Sequence, residues 1–201
     1  MADLPPRYNT ISLIGMPGAG KSTVGVLLAK LAGLAFNDTD LAIQVAAGAT
    51  LQEIIDSRGH LALRAIEQDI LLSVPLENSV IATGGSVVYS DAVMQRLRGA
   101  GPVIYLKVDL DTLSRRVAAA PPRGIASGAG MGYADVFHER TPLYERFADI
   151  IVESSHRDPQ QVALDIYTQL QRPIGRKTCP DMSAADTGHY RDPAPADKAG
   201  P

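Results

Sequence analysis

Gly15-Met16-Pro17-Gly18-Ala19-Gly20-Lys21-Ser22 fits the spacing G-x-x-x-x-G-K-[ST] without a mismatch. It follows Thr10-Ile11-Ser12-Leu13-Ile14, an apolar run of strand length. It precedes Lys21 to Leu31, where Val24, Leu27, Leu28 and Leu31 share one helical face. Strand, glycine loop, helix is the context in which this spacing binds phosphate. The glycines let backbone N–H groups curl around an anion, and the helix start adds the positive end of its dipole. In such a loop Lys21 reaches the β/γ-phosphates and the Ser22 hydroxyl ligates Mg²⁺. Gly18, Ala19, Gly20, Lys21, Ser22 and Thr23 are therefore candidate ATP-binding residues, with Ser22 a candidate metal ligand. A chance glycine-rich turn is the alternative, and a full match in the right context outweighs it.

Outward from this loop, strands and helices alternate. Ala35-Phe36 leads to a short strand ending at Asn37-Asp38-Thr39-Asp40, and Leu41 to Val45 is helical up to Gly48. Thr50 with Glu53 has capping-box spacing, and the helix it starts stops near Arg58-Gly59. A longer helix follows through Leu72. Ser79-Val80-Ile81-Ala82 reads as a third strand, again ending at glycines, Gly84-Gly85. Ser90 to Leu97 is helical, Val103 to Val108 is a strand, and Asp111 caps a helix through Val117. Ile150-Ile151-Val152 and a helix from about Pro159 to Leu170 complete the series. The order predicts an α/β fold: a five-stranded parallel sheet flanked by helices on both faces, with ligands at the carboxyl ends of the strands.

Two regions fall outside this alternation. Ala118 to Gly132 is rich in Ala, Pro and Gly and predicts a mobile lid spanning about residues 118–135. From Pro173 onward prolines recur with little apolar content, which predicts a disordered tail over 173–201 and a catalytic domain over 1–172. The single cysteine, Cys179, lies in that tail, so neither a disulfide framework nor a catalytic thiol is expected. The chain opens with no targeting segment and has no run of apolar residues long enough for a membrane span, which predicts a soluble cytoplasmic protein. Its 201 residues carry a net charge of −3, against a nucleic-acid partner. A monomer is expected.

The loop alone leaves the phosphate acceptor open. A regulatory GTPase needs a guanine-reading Asn-Lys-x-Asp, which the sequence lacks, and a helicase-type ATPase fits neither the size nor the charge. A small-molecule kinase remains. If Asp38-Thr39-Asp40 continues as strand, its two carboxylates point to one side. One would help hold Mg²⁺ through its water shell; the other would orient a substrate hydroxyl for in-line attack. The competing reading is a helix N-cap.

The ordered set of motifs resembles the shikimate kinase family from about Ile11 to Leu170. It comprises the phosphate loop with Thr23, Phe36-Asn37-Asp38-Thr39-Asp40, Gly59-x-x-x-x-Arg64-x-x-Glu67, Ala82-Thr83-Gly84-Gly85, and Glu139-Arg140-Thr141-Pro142-Leu143-Tyr144 followed by Ala148-Asp149. The resemblance implies a P-loop kinase with a lid that uses ATP and Mg²⁺ on a small hydroxy acid, shikimate first. It places Asp38 near Mg²⁺ and makes Asp40 the group on the substrate hydroxyls and the candidate base. Arg64 and Arg140 clamp the substrate carboxylate, and the Gly84-Gly85 backbone approaches the substrate. Arg123 is the lid arginine that reaches the ATP phosphates, and Arg116 the one lying on the adenine. Read without the family, Arg64 serves an anion or an internal salt bridge with Glu67 equally well, Arg140 also fits a solvated helix, and Arg123 an ordinary surface charge. Gly84-Gly85 also fits a tight turn.

Three departures lie on the acceptor or lid side. The usual glycine triplet reads Gly84-Gly85-Ser86. Gly-Glu-x-x-Phe-Arg reads Gly59-His60-Leu61-Ala62-Leu63-Arg64, and the lid's Arg-Pro-Leu-Leu reads Arg123-Gly124-Ile125-Ala126. They keep homoserine open as a second acceptor, a gluconate-like sugar acid as a weaker one, and a nucleotide-binding adaptor without chemistry as a third reading.

Overall fold

The computed structural model describes residues 8–120, 124–125 and 130–175. Residues 121–123, with Arg123, and 126–129 of the predicted lid, Cys179 and nearly all of the predicted tail lie outside the described residues. Five strands form one parallel sheet: β1 (Thr10–Ile14), β2 (Ala35–Asp38), β3 (Ser79–Ala82), β4 (Val103–Lys107) and β5 (Ile150–Glu153), in the order β2-β3-β1-β4-β5. The register pairs Leu13 with Ala82 and with Ile104, and Asp38 with Ala82. β1, β2 and β3 therefore end beside one another, at the edge where their loops must gather.

Burial follows the order. β1 and β3 are buried throughout and β4 at all but Lys107, while the edge strands β2 and β5 stay partly open. This is why the three central strands read as unbroken apolar runs. Among the described residues, seven α-helices cover both faces: α1 (Lys21–Ala32), α2 (Thr39–Ala47), α3 (Leu51–Ser73), α4 (Asp91–Ala100), α5 (Leu110–Ala118), α6 (Tyr133–Phe147) and α7 (Pro159–Leu170). α1 packs on α7, and α3 packs on α4 and on α2. The capping box at Thr50 and Glu53 is present. Gly59 breaks α3 with φ 82° and ψ 165°, a conformation that costs glycine little.

Three expectations need correction. Asp38 and Asp40 do not lie on a shared strand face. Asp38 is the N-cap of α2 and accepts from the N–H groups of Asp40 at 3.0 Å and Leu41 at 3.4 Å, so Asp40 sits in the first helical turn. The cap of α5 is Asp109, which accepts from Thr112 N–H at 2.7 Å, while Asp111 lies inside the helix. α6 has no counterpart in the strand-and-helix reading, and it begins at Tyr133, inside the span given to the lid. Among the described residues, no helix is long and apolar enough to cross a membrane.

Candidate active site

The loop between β1 and α1 curls through positive φ at Gly15 (145°), Gly18 (86°) and Gly20 (93°). Gly20 caps α1 without a side chain, whereas α2, α3, α4, α5 and α7 each have a side-chain oxygen on their first N–H groups. The start of α1 thus keeps backbone donors for an anion, where the helix dipole also favours negative charge. Lys21 is only 8% exposed, and its Nζ donates to Gly15 O at 2.8 Å and Met16 O at 3.0 Å. Burial pulls its pKa down to about 8, against the charges of Asp40, Asp38 and Glu67, which hold it up.

Side chains from distant elements brace this loop. The Tyr133 hydroxyl donates to Pro17 O at 2.6 Å, and Arg116 donates to Gly18 O at 3.3 Å. The loop lines a cavity of about 440 Å³. Gly18, Ala19, Gly20, Lys21, Ser22, Thr23 and Arg116 line it, as do Asp40, Gly84, Gly85 and Arg140. The structure therefore gathers most of the candidate residues on one space.

Asp38 and Arg64 are not on that lining. The Asp38 carboxylate is spent on the α2 cap, although its charge still acts on Lys21. Arg64 lines a neighbouring cavity of about 270 Å³, with its guanidinium 4.0 Å from the centroid of the Tyr89 ring. Arg140, 1% exposed, meets the same tyrosine: its Nε donates to the Tyr89 hydroxyl at 3.2 Å. The two arginines thus converge on Tyr89 from two cavities, and Glu67 and Ser86 line both.

The Gly84-Gly85 turn sits under tight constraint. Gly84 N–H donates to Thr39 Oγ1 at 3.0 Å, and the Tyr144 hydroxyl donates to Gly85 O at 2.6 Å. A β-carbon on Gly84 would come within 2.1 Å of Glu67 Oε1, and one on Gly85 within 3.0 Å of Arg140. Gly84 has no room for a side chain unless Glu67 moves, and Gly85 has only a tight fit against Arg140 and Pro17.

The residue with least weight in the sequence reading is Glu67. It is 4% exposed, and Ser86 donates its hydroxyl hydrogen to Glu67 Oε2. Burial pushes its pKa up to about 7; the Ser86 hydrogen bond, Arg140 and Lys21 pull it down, and Asp40 raises it. A readable signal existed: Leu63, Glu67 and Leu71 share one buried helical face, where a carboxylic acid is out of place. Ser154, Arg157 and Pro159 also line the cavity, after the carboxyl end of β5. The strand-end rule could have pointed to them.

The residues present fit a Mg²⁺–nucleotide. Mg²⁺ needs one or two protein oxygens and takes the rest from phosphate and water. The exposed Ser22 hydroxyl, at a helix start with no side-chain cap and next to Lys21, on which the Asp38 charge acts, meets that requirement.

Known proteins give the same picture. The family model for shikimate kinase matches residues 17–171. The shikimate kinase of Pseudomonas entomophila (strain L48) is 37% identical over 163 residues, covering 80% of this chain and 95% of that protein. Among solved structures, the shikimate kinase from Acinetobacter baumannii in complex with shikimate superposes with a TM-score of 0.73 at 28% identity, over 83% of this chain and 94% of that one. The shikimate kinase from Aquifex aeolicus gives 0.69 at 26% identity, over 80% and 95%.

Proposed function

The chain belongs to the shikimate kinase family, and from that membership we propose that it transfers the γ-phosphoryl group of ATP to shikimate, forming 3-phosphoshikimate. As a member of the family it is an ATP-dependent kinase that uses Mg²⁺. The observation that carries the reading is the one cavity lined both by an anion-binding loop and by Asp40, Gly84 and Arg140. The homoserine, gluconate and adaptor readings find no support in these relatives.

Lys21 binds the β/γ-phosphates, with Gly18, Ala19, Gly20 and Thr23 supplying backbone and side-chain contacts. Ser22 holds Mg²⁺, and Asp38 supports it from outside the cavity lining. When bound, Mg²⁺ lowers the charge barrier to attack on the phosphoryl group. Arg116 bridges the phosphate loop and the nucleotide's base. Asp40 takes the hydrogen of the attacking hydroxyl and orients the oxygen in line with the γ-phosphorus. Arg140 holds the substrate carboxylate and Arg64 assists it across Tyr89, because a guanidinium fork matches a carboxylate. Arg123, brought in by a lid between α5 and α6, stabilises the transferring charge and helps exclude water. Most of the catalytic effect is positioning and charge stabilisation.

Every group in this scheme comes from one chain, which supports a monomer with a catalytic domain over 1–172. The net charge of −3 supports a small-molecule substrate rather than nucleic acid, and a cytoplasmic setting suits such an enzyme. Phosphorus NMR of protein, ATP, Mg²⁺ and shikimate tests the transfer. One phosphate ester is expected per ADP formed. ADP with inorganic phosphate and no ester would overturn the proposal.

A further inference from the structure

Where the family's substrate loop usually has a third glycine, this chain carries Ser86, 7% exposed, with its hydroxyl on Oε2 of Glu67. The other oxygen, Oε1, is buried and takes no hydrogen bond from any described residue. Buried carboxyl oxygens without a donor are uncommon, because the desolvation they suffer is returned only by a hydrogen bond. Oε1 lies against Gly84, as does Asp40 Oδ1: a β-carbon on that glycine would stand 2.1 Å from the first and 2.9 Å from the second. Two carboxyl oxygens thus converge over one backbone carbon on the cavity wall, and Glu67, Asp40 and Gly84 all line the cavity. One carboxylate suffices to orient one hydroxyl. A pair converging on the same spot matches two adjacent hydroxyl groups, each donating to its own acceptor.

We propose that Ser86 is a positioning residue that fixes Glu67 so that its Oε1 accepts a second hydroxyl of the phosphate acceptor, beside the one taken by Asp40. The pair Asp40–Glu67 then reads a vicinal diol, and Ser86 is what this chain uses to hold the second reader in place. The proposal rests on the shikimate reading above for the acceptor's identity. The serine hydroxyl does here what an uncharged clamp does best: it anchors one oxygen without neutralising the carboxylate. The other groups acting on Glu67 are Asp40 from α2, Lys21 from α1 and Arg140 from α6.

The test compares the full-length protein with Ser86→Ala and Ser86→Gly, each lacking the hydroxyl, so that a folding failure of one leaves the other. KM and kcat are measured for shikimate, for an analogue lacking the hydroxyl next to the one that receives phosphate, and for ATP. The expected result is a rise of about tenfold in KM for shikimate, as for one lost hydrogen bond, with KM for ATP unchanged. The analogue should bind the wild type about tenfold more weakly than shikimate, and the variants should lose most of that preference. Equal effects on shikimate and the analogue, or no effect on either, would overturn the proposal.

A second readout needs no acceptor. Carbon NMR of the Glu67 side-chain carboxyl in the uncomplexed protein should show titration near pH 7, shifted upward in Ser86→Ala and Ser86→Gly. An unmoved midpoint would overturn the clamp. Failure of the wild type to phosphorylate shikimate would instead overturn the acceptor reading, leaving the carboxyl titration to decide the Ser86–Glu67 pair.

Discussion

The two ends of the cavity are built in opposite ways. The phosphate end is backbone: one loop of eight residues, positive φ at three glycines, and a helix start with no side chain across it. The acceptor end is side chains, and they arrive from far apart: Asp40 from α2, Glu67 from α3, Ser86 after β3, and Arg140 from α6. Backbone recognition of phosphate is indifferent to what the phosphate is joined to. Side-chain recognition of hydroxyl and carboxylate is not. The departures from the family pattern fall at the acceptor end and in the lid, while the phosphate loop is intact. Substrate choice therefore resides at the acceptor end, and nucleotide use at the other.

This division is broken or sharpened by substitutions at each end. The largest effect is expected from Lys21→Ala, which removes the charge on the phosphates and should lower kcat by about a thousandfold in an ADP-release assay. Because burial depresses the Lys21 pKa, its loss should leave the melting temperature unchanged or raised. Next is Asp40→Asn, with kcat lower by about a hundred- to ten-thousandfold and KM for ATP within about twofold. A matching loss of ATP affinity would show that the ends are not separable. Gly84→Ala should follow. Its methyl group would displace the Glu67 carboxyl, raising KM for the acceptor and costing about 1–3 kcal/mol in stability by urea unfolding, with ATP binding intact.

The smallest expected effect is on the pH dependence of folding. Glu67 has a folded pKa of about 7, above its ordinary 4.5. Between those values the folded protein binds the proton that the unfolded chain has released, so stability falls as pH rises through that window. Lys21 works in the other direction. Its folded pKa of about 8 lies below 10.5, so stability rises with pH between those two values. Melting temperatures from pH 5 to 7 should therefore fall with pH from the Glu67 contribution, and Glu67→Gln should flatten that slope.

The same contrast explains what the sequence makes legible. The phosphate loop is readable because all of its geometry is local. The strands are readable because burial on both faces leaves unbroken apolar runs, and Ser79–Ala82 and Pro159–Leu170 fall where periodicity places them. α6 is not readable in that way. Its buried face is Val136, Arg140, Tyr144 and Phe147, with a charge inside the stripe, and Pro142 stands within the helix. Glu67 hides for the same reason, as a charge on an apolar face whose partner, Ser86, is nineteen residues away. Asp38 and Asp40 show a different limit. A carboxylate at a strand end can face a cleft, cap the next helix or do both, and Asp38 Oδ1, reaching two N–H groups, caps α2. Asp109 and Asp111 pose that choice at α5, and the contact with Thr112 N–H decides it.

The central claim, that the acceptor end selects shikimate while the phosphate end supplies the transferred group, is tested most directly by ADP release measured side by side. Shikimate, homoserine and gluconate are each supplied with ATP and Mg²⁺. Turnover with shikimate and none above background with the other two is the predicted result. Turnover of homoserine without shikimate would contradict it.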